Sequence, residues 1–261
     1  MKIFGKNIQF YAEKSVLDIL GDIKPQPSSK FLPEYYKNAN LNVVKPKERI
    51  AFGPNHSFNG KVGNHFGFKA CVPYMDAIMG GYTIPLWSDV IYDKTNESFY
   101  LSHNQVEDQY QKNTYALGVL STHSYEQVKG IPGTKESEMT FKYLNPWKIK
   151  TPPGYSCLFI QPMNHFDSRY QIVSGIVDTD TYTESVHFPF IINRNNMNDK
   201  DKFERGMPFV QVIPFKRENW KMDLHPMTNK ERSENRSIMG ILSSMTQYAY
   251  RKMWWKKKKY E

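Results

Sequence analysis

The run from Tyr143 to Trp220 most constrains what this chain can fold into. It reads Y-L-N-P-W-K-I-K-T-P-P-G-Y-S-C-L-F-I-Q-P-M-N, then G-I-V-D-T-D-T-Y, H-F-P-F-I-I-N and G-M-P-F-V-Q-V-I-P-F-K-R-E-N-W. Short apolar, aromatic and β-branched runs alternate with Pro, Gly, Asn and Asp, which is how a multi-stranded antiparallel unit is written. Strands are expected at 139–144, 155–161, 170–178, 186–193 and 208–216. A single sheet with so many aromatic faces would leave apolar surface uncovered, so two layers are needed. The expected fold is mainly β (α+β), an antiparallel two-sheet β-sandwich or jelly-roll/cupin-like barrel with a C-terminal amphipathic helix.

With 261 residues the chain can bury a core without staples, and it reads as a single domain. Residues 1–138 form a wrapping N-terminal half, 139–220 the β-unit, and 226–261 the C-terminal helix and basic tail. In the N-terminal half, 2–11 reads as a strand, 14–20 as a helix and the Pro-rich 24–33 as an extended segment. A loop at 53–68, a helix at 71–79 stopped by Gly80–Gly81, a strand at 82–92 and a hairpin turn at 93–96 follow. Residues 103–118 offer a helical turn, and 125–138 and 193–205 read as loops. Thr228 and Glu231 form a capping box that opens one helix over about 229–255, with Ile238, Leu242, Met245 and Ala249 on its apolar stripe. That helix is expected to lie across an open face of the β-unit.

The two cysteines, Cys71 and Cys157, have no metal-knuckle spacing, and a reducing compartment suits them. The start has no apolar signal region, and no run is long enough to span a bilayer. The Asn-x-Ser triplets at Asn55, Asn96 and Asn235 then carry no glycan. Host cytoplasm or virion is the expected location. The net charge of +9 falls to +4 when residues 251–261 are set aside, so the charge marks a sticky tail more than a nucleic-acid-binding body.

Several blocks resemble an uncharacterised family found mainly in tailed bacteriophages, including marine phages, and in some bacteria. They are N-P-W-x-I-x-T-P at 145–152, G-Y-S-C-L-F at 154–159, G-I-V-D-T-D-x-Y at 175–182, F-P-F at 188–190 and G-x-P-F-V-Q-V-I-P-F-K-R at 206–217. K-P-Q-P-S-S-K-F-L-P-E-Y-Y at 24–36 and A-x-x-x-G-Y-x-I-P-L-x-x-D at 77–89 resemble its N-terminal half. The resemblance implies a phage-type protein of one domain and carries no catalytic residues across.

Three constellations could carry chemistry. Asp178 and Asp180, two apart, would present both carboxylates on one side of a strand, with Tyr182, Gln211 and Arg217 nearby as a ligand-binding set. The competing reading is a strand-ending turn whose carboxylates accept backbone N–H bonds. His165 and Asp167 begin a facial metal triad if His187 or His225 completes it, and Arg236 would then hold an oxo acid. The competing reading there is a polar turn between strands, Met163 to Arg169. The tail, with Arg251, Lys252, Trp254, Trp255, Lys256, Lys257, Lys258 and Lys259, joins cations to aromatics and suits partner binding. It could also be a solvated helix end with its tryptophans folded back. Phosphate-cradle and serine-nucleophile motifs are absent.

The expected function is accordingly a phage-type, non-enzymatic binding or structural protein with no cofactor. A protein partner or self-assembly comes first, with nucleic acid or an anionic surface through the tail. The alternative is a cupin-like oxygenase using Fe(II) and 2-oxoglutarate.

Overall fold

The computed structural model describes residues 6–44, 64–101, 118–134, 140–244 and 249–261. The chain divides into two compact units. The first comprises Met1–Phe31, Gly80–Asn219 and Tyr260–Glu261, and the second Leu32–Met79 and Trp220–Lys259.

The first unit is mostly β, and every strand pairing in it is antiparallel. A five-stranded sheet runs in the order Gly175–Val177, Tyr155–Ile160, Pro208–Lys216, Tyr82–Pro85, Gln26–Pro27. A four-stranded sheet runs Tyr170–Ile172, Phe188–Ile192, Thr140–Tyr143, Leu120–His123. A three-stranded sheet of Lys200–Phe203, Val90–Asp93 and Ser98–Leu101 adds to them, and Gln9–Tyr11 pairs with Lys148–Lys150. The described strands close no barrel, because the five-stranded sheet ends in two short edges. This corrects the cupin-like barrel.

Aromatic residues build the core because the strands supply them at alternate, inward positions. Phe209, from the five-stranded sheet, stacks on Tyr170 at 4.8 Å and meets Tyr143 at 5.0 Å and Phe190 at 5.3 Å. Those three rings come from the four-stranded sheet, so a single buried side chain joins the two layers. Phe159 makes a second junction with Phe188 at 5.3 Å. Each such burial contributes roughly 1.5–3 kcal/mol relative to exposure. Cys157 lies in the same core, where burial pushes its thiol up to about 11.

Several elements differ from the sequence reading. The expected strand 170–178 breaks at Val173–Ser174, and its halves join different sheets. The strand expected over 82–92 breaks into Tyr82–Pro85 and Val90–Asp93. Between them Leu86 exchanges backbone hydrogen bonds with Met207 and Gly206, and Trp87 is fully buried. The stretch 193–205 contains the strand Lys200–Phe203, and 125–138 contains a short helix, Tyr125–Val128, with its own Ser124–Gln127 capping box. Much of 53–68 and 103–118 lies outside the described residues.

The expected capping box forms, with Thr228 N–H donating to Glu231 and Glu231 N–H to Thr228 Oγ1. Helix follows over Asn229–Ser244 and Ala249–Met253. Both segments belong to the second unit with Leu32–Met79. Among the described residues, no helix is long and apolar enough to cross a membrane.

Candidate functional site

The loop between Ile160 and Tyr170 builds the most developed site of the first unit. Two of its residues, Asn164 (φ +60°) and Phe166 (φ +58°), adopt the left-handed conformation on either side of His165. Asparagine tolerates this region, but for a bulky side chain it costs on the order of 1–2 kcal/mol. Such strain persists only where the surroundings over-determine the backbone, and here they do. Gln211 Oε1 accepts the Met163 N–H at 2.8 Å, and Gln161 Nε2 donates to the Asp167 carbonyl at 2.8 Å. The His165 N–H reaches the Pro162 carbonyl at 3.2 Å. Arg169 donates to Asp167 through its backbone N–H, its Nε (3.0 Å) and its Nη2 (2.7 Å).

A groove of about 330 Å³ opens beside this loop, lined by His165, Asp167, Arg169, Lys202 and Glu204 over Tyr170 and Met207. Burial holds the His165 imidazole below its ordinary value, partly opposed by Asp167, so it is neutral at pH 7. Arg169 stacks over the Phe203 ring at 4.4 Å, and its Nη1 donates to the Lys202 carbonyl. Lys202 Nζ lies 2.8 Å from Asp89, and this pair raises the lysine and lowers the aspartate. Two cations and two acids line the groove, so its formal charge balances. Lys202 and Arg169 each carry more N–H donors than these pairings use.

The structure also brings together most of the set expected around Asp178 and Asp180, as a clasp. Arg217 donates Nη1 to Asp180 Oδ1 at 2.8 Å and Nη2 to Asp180 Oδ2 at 2.5 Å, a bidentate pair. Asp178 Oδ1 lies 3.1 Å from the same guanidinium and accepts Ser156 Oγ at 2.6 Å. The Gly154 N–H donates to Asp180 at 2.8 Å. Arg217 and these bonds hold the Asp180 carboxyl down to about 2. The clasp joins the beginning of strand Tyr155–Ile160 to the end of strand Pro208–Lys216. Tyr182 is exposed and enters only through its backbone N–H, which donates to the Asp178 carbonyl. Gln211 is elsewhere, fully buried beneath the His165 loop, with Nε2 donating to the Gly80 carbonyl at 2.6 Å.

The metal set is not assembled. Among the described residues no three His, Cys, Asp or Glu side chains are placed to hold an ion. His165 and Asp167 do share the groove, but Arg169 occupies both Asp167 oxygens. His187 precedes the strand Phe188–Ile192, with its Nδ1 buried and unpartnered and its pKa lowered by burial. His225 lies exposed in the second unit, and Arg236 stands on its helix. These residues do not fit the iron and 2-oxoglutarate chemistry of the alternative reading.

In the tail, Trp255 Nε1 donates to Asp76 Oδ2 at 2.8 Å and Lys258 Nζ reaches the same oxygen at 2.5 Å. Arg251 lies over the Trp255 ring at 5.4 Å. Trp254 and Lys252, Lys256, Lys257 and Lys259 remain exposed.

Sequence reading missed Gln161, Arg169, Tyr170, Lys202 and Glu204 as parts of the groove. Arg169 was within sight, since it closes the polar turn that begins at Met163. Lys202 and Glu204 had no signal, because they fall in a charged stretch whose strand is only four residues long.

No family model and no curated protein matches the chain. Among solved structures it is similar to the dUTPase of phage phi11 of S. aureus, which coordinates a structural Mg(II) ion. That alignment has 10% identity and a TM-score of 0.33 and covers 86% of this chain and 99% of that one. The Staphylococcus bacteriophage 80alpha dUTPase with dUpNHpp aligns at 9% identity and TM-score 0.34, over 85% and 90% of the two chains. The EIAV dUTPase aligns at 16% identity and TM-score 0.25, over 41% and 99%. All three are named as dUTPases, which stands against the expectation of a non-enzymatic binding or structural protein. At these identities and TM-scores the likeness carries neither residues nor substrate to this chain.

Proposed function

We propose that the first unit is an enzyme acting on a small polar ligand with one anionic group, in the groove beside His165. The observation that carries this is His165 itself, held neutral and clamped between two left-handed residues that four side chains keep in place. Strain of that kind, at a histidine lining a groove, supports a preorganised proton acceptor. In this reading His165 takes a proton from water or a ligand hydroxyl. The remaining donors of Arg169 and Lys202 take the anionic group. Balanced charge in the groove argues against a polyanion, and a volume near 330 Å³ suits a ligand about the size of a nucleoside monophosphate or sugar phosphate. The scaffold we read as a two-sheet sandwich, supported by the ring contacts of Phe209 and Phe159 across the layers. A phage-type origin is supported by the sequence blocks between 145 and 217.

The test is calorimetric titration and a product assay with nucleoside monophosphates and sugar phosphates, each beside its dephosphorylated form. The phosphorylated member is expected to bind at least about tenfold better, and Lys202→Met to remove that preference. His165→Asn is expected to cut turnover by about 10²-fold or more with binding retained. Equal binding of both forms, or turnover indifferent to His165, would sink the reading.

A further inference from the structure

The charge of this protein is partitioned between its two units. By sequence, Leu32–Met79 and Trp220–Lys259 carry sixteen Lys and Arg against six Asp and Glu, a net +10. The first unit carries nineteen against twenty, a net −1. The whole basic character of the chain therefore belongs to the second unit.

Exposed rings accompany this charge in the second unit, although Tyr11, Tyr100, Phe166 and Tyr182 of the first unit are exposed as well. Trp220 is 88% exposed, Phe68 46%, Tyr250 44%, Trp254 41% and Tyr35 37%. Each is next to a cation in sequence or one residue removed: Lys221, Lys69, Arg251, Lys256 and Lys37. They come from several segments, including the extended stretch after Asn219 and the turn after Met253. Within the unit the tail is tethered, because Trp255 and Lys258 share the Asp76 carboxylate. The tether fixes one part of the cationic run near the helix Val72–Met79, leaving Lys256, Lys257 and Lys259 exposed.

We propose that the second unit binds single-stranded nucleic acid. A flexible polyanion complements a unit of net +10, and unpaired bases stack on exposed rings beside the cations that hold the phosphates. A second copy of the chain is a poor occupant, since two units of net +10 repel. A lipid surface would ask for a helix with one apolar and one basic face. Helix Asn229–Ser244 instead opens with Lys230, Glu231, Arg232, Glu234 and Arg236, all exposed.

The experiment is fluorescence anisotropy of the full chain with a labelled 20-nucleotide oligo(dT), from about 50 to 300 mM salt. Binding is expected with log K falling linearly in log salt. Replacing Lys256, Lys257, Lys258 and Lys259 by Gln is expected to flatten that slope by about 2–3. Trp220→Ala, at a side chain with almost no cover, is expected to weaken binding about fivefold or more without disturbing the fold. Lys202→Met, in the groove, is expected to leave oligonucleotide binding unchanged, so this test and that of the groove fail separately. No binding at 50 mM salt, or a slope unaffected by the lysine change, overturns the proposal. So does capture by anionic vesicles with none by the oligonucleotide, or a dimer in sedimentation whose contact Trp220→Ala abolishes.

Discussion

The two units use the same kinds of residue in opposite ways. In the first, rings such as Phe209, Tyr170 and Phe190 are within 2% of full burial and lock two sheets together, on a body of nearly neutral charge. In the second, described large side chains with full or near-full burial are few, Tyr36, Val72 and Ile78, while Trp220, Met222 and Leu224 are each at least 80% exposed. The charge of +9 comes from the second unit alone, while aromatic residues make up nearly the same fraction of both. The difference teaches that the rings opposed across the two sheets are structural, while rings such as Trp220 and Trp254, in the basic unit, are left exposed.

The sharpest way to break this comparison is Phe209→Ala. Losing the ring that three others touch should cost about 3–5 kcal/mol in urea unfolding. A loss under 1 kcal/mol would mean the layers are not joined there. Gly81→Ala comes next, at about 3 kcal/mol. Gly81 has φ +65° and a Cβ would stand 2.0 Å from the Val212 carbonyl oxygen, so both backbone and space forbid it. An unchanged melting temperature would show that this crossing is soft.

Gln211→Ala should cost about 2–3 kcal/mol, since it strands the Met163 N–H and the Gly80 carbonyl. It should also release the His165 loop, so turnover in the groove should fall with the affinity less affected. Intact turnover would separate the loop's strain from its chemistry. A smaller effect is expected in acid. With its carboxyl held near 2, Asp180 contributes stability present above the usual carboxylate value near 4, and that stability is lost as pH falls through about 2. Comparing melting temperature from pH 7 to 2 in the parent and in Asp180→Asn should show the two converging at the acid end. Parallel curves would leave the clasp without a stabilising role. The smallest effect on stability is Trp220→Ala, within about 0.5 kcal/mol. A larger loss would place Trp220 among the structural rings.

What could be read in the sequence follows the strength of the local signal. Strands at Tyr155–Ile160 and Pro208–Lys216 were legible because long β-branched and aromatic runs fit no other element. The helix start at Thr228 was legible because a capping box is local chemistry. The breaks at Leu86–Asp89 and Val173–Ser174 were not, because neighbouring strands in space decide where a run changes sheets. The same limit applied to the site. Asp178, Asp180 and Arg217 were named together and do meet, but as a clasp, since spacing cannot tell an ion pair from an empty carboxylate pair. His165 and Asp167 were named for a metal, and Arg169, two residues on, decided otherwise.

Strand Pro208–Lys216 has a mechanical consequence. Its first residue lines the groove, its fourth carries Gln211 beneath the His165 loop, and the residue after its last carries Arg217 into the clasp. Nine residues at about 3.3 Å each make an axle nearly 30 Å long, with one assembly at each end. Sliding it by a single register would turn Gln211 to the opposite face and pull Arg217 from its carboxylates in the same movement. Drift at one end is therefore policed by the other, and neither assembly can be retuned by moving the strand without dismantling its counterpart.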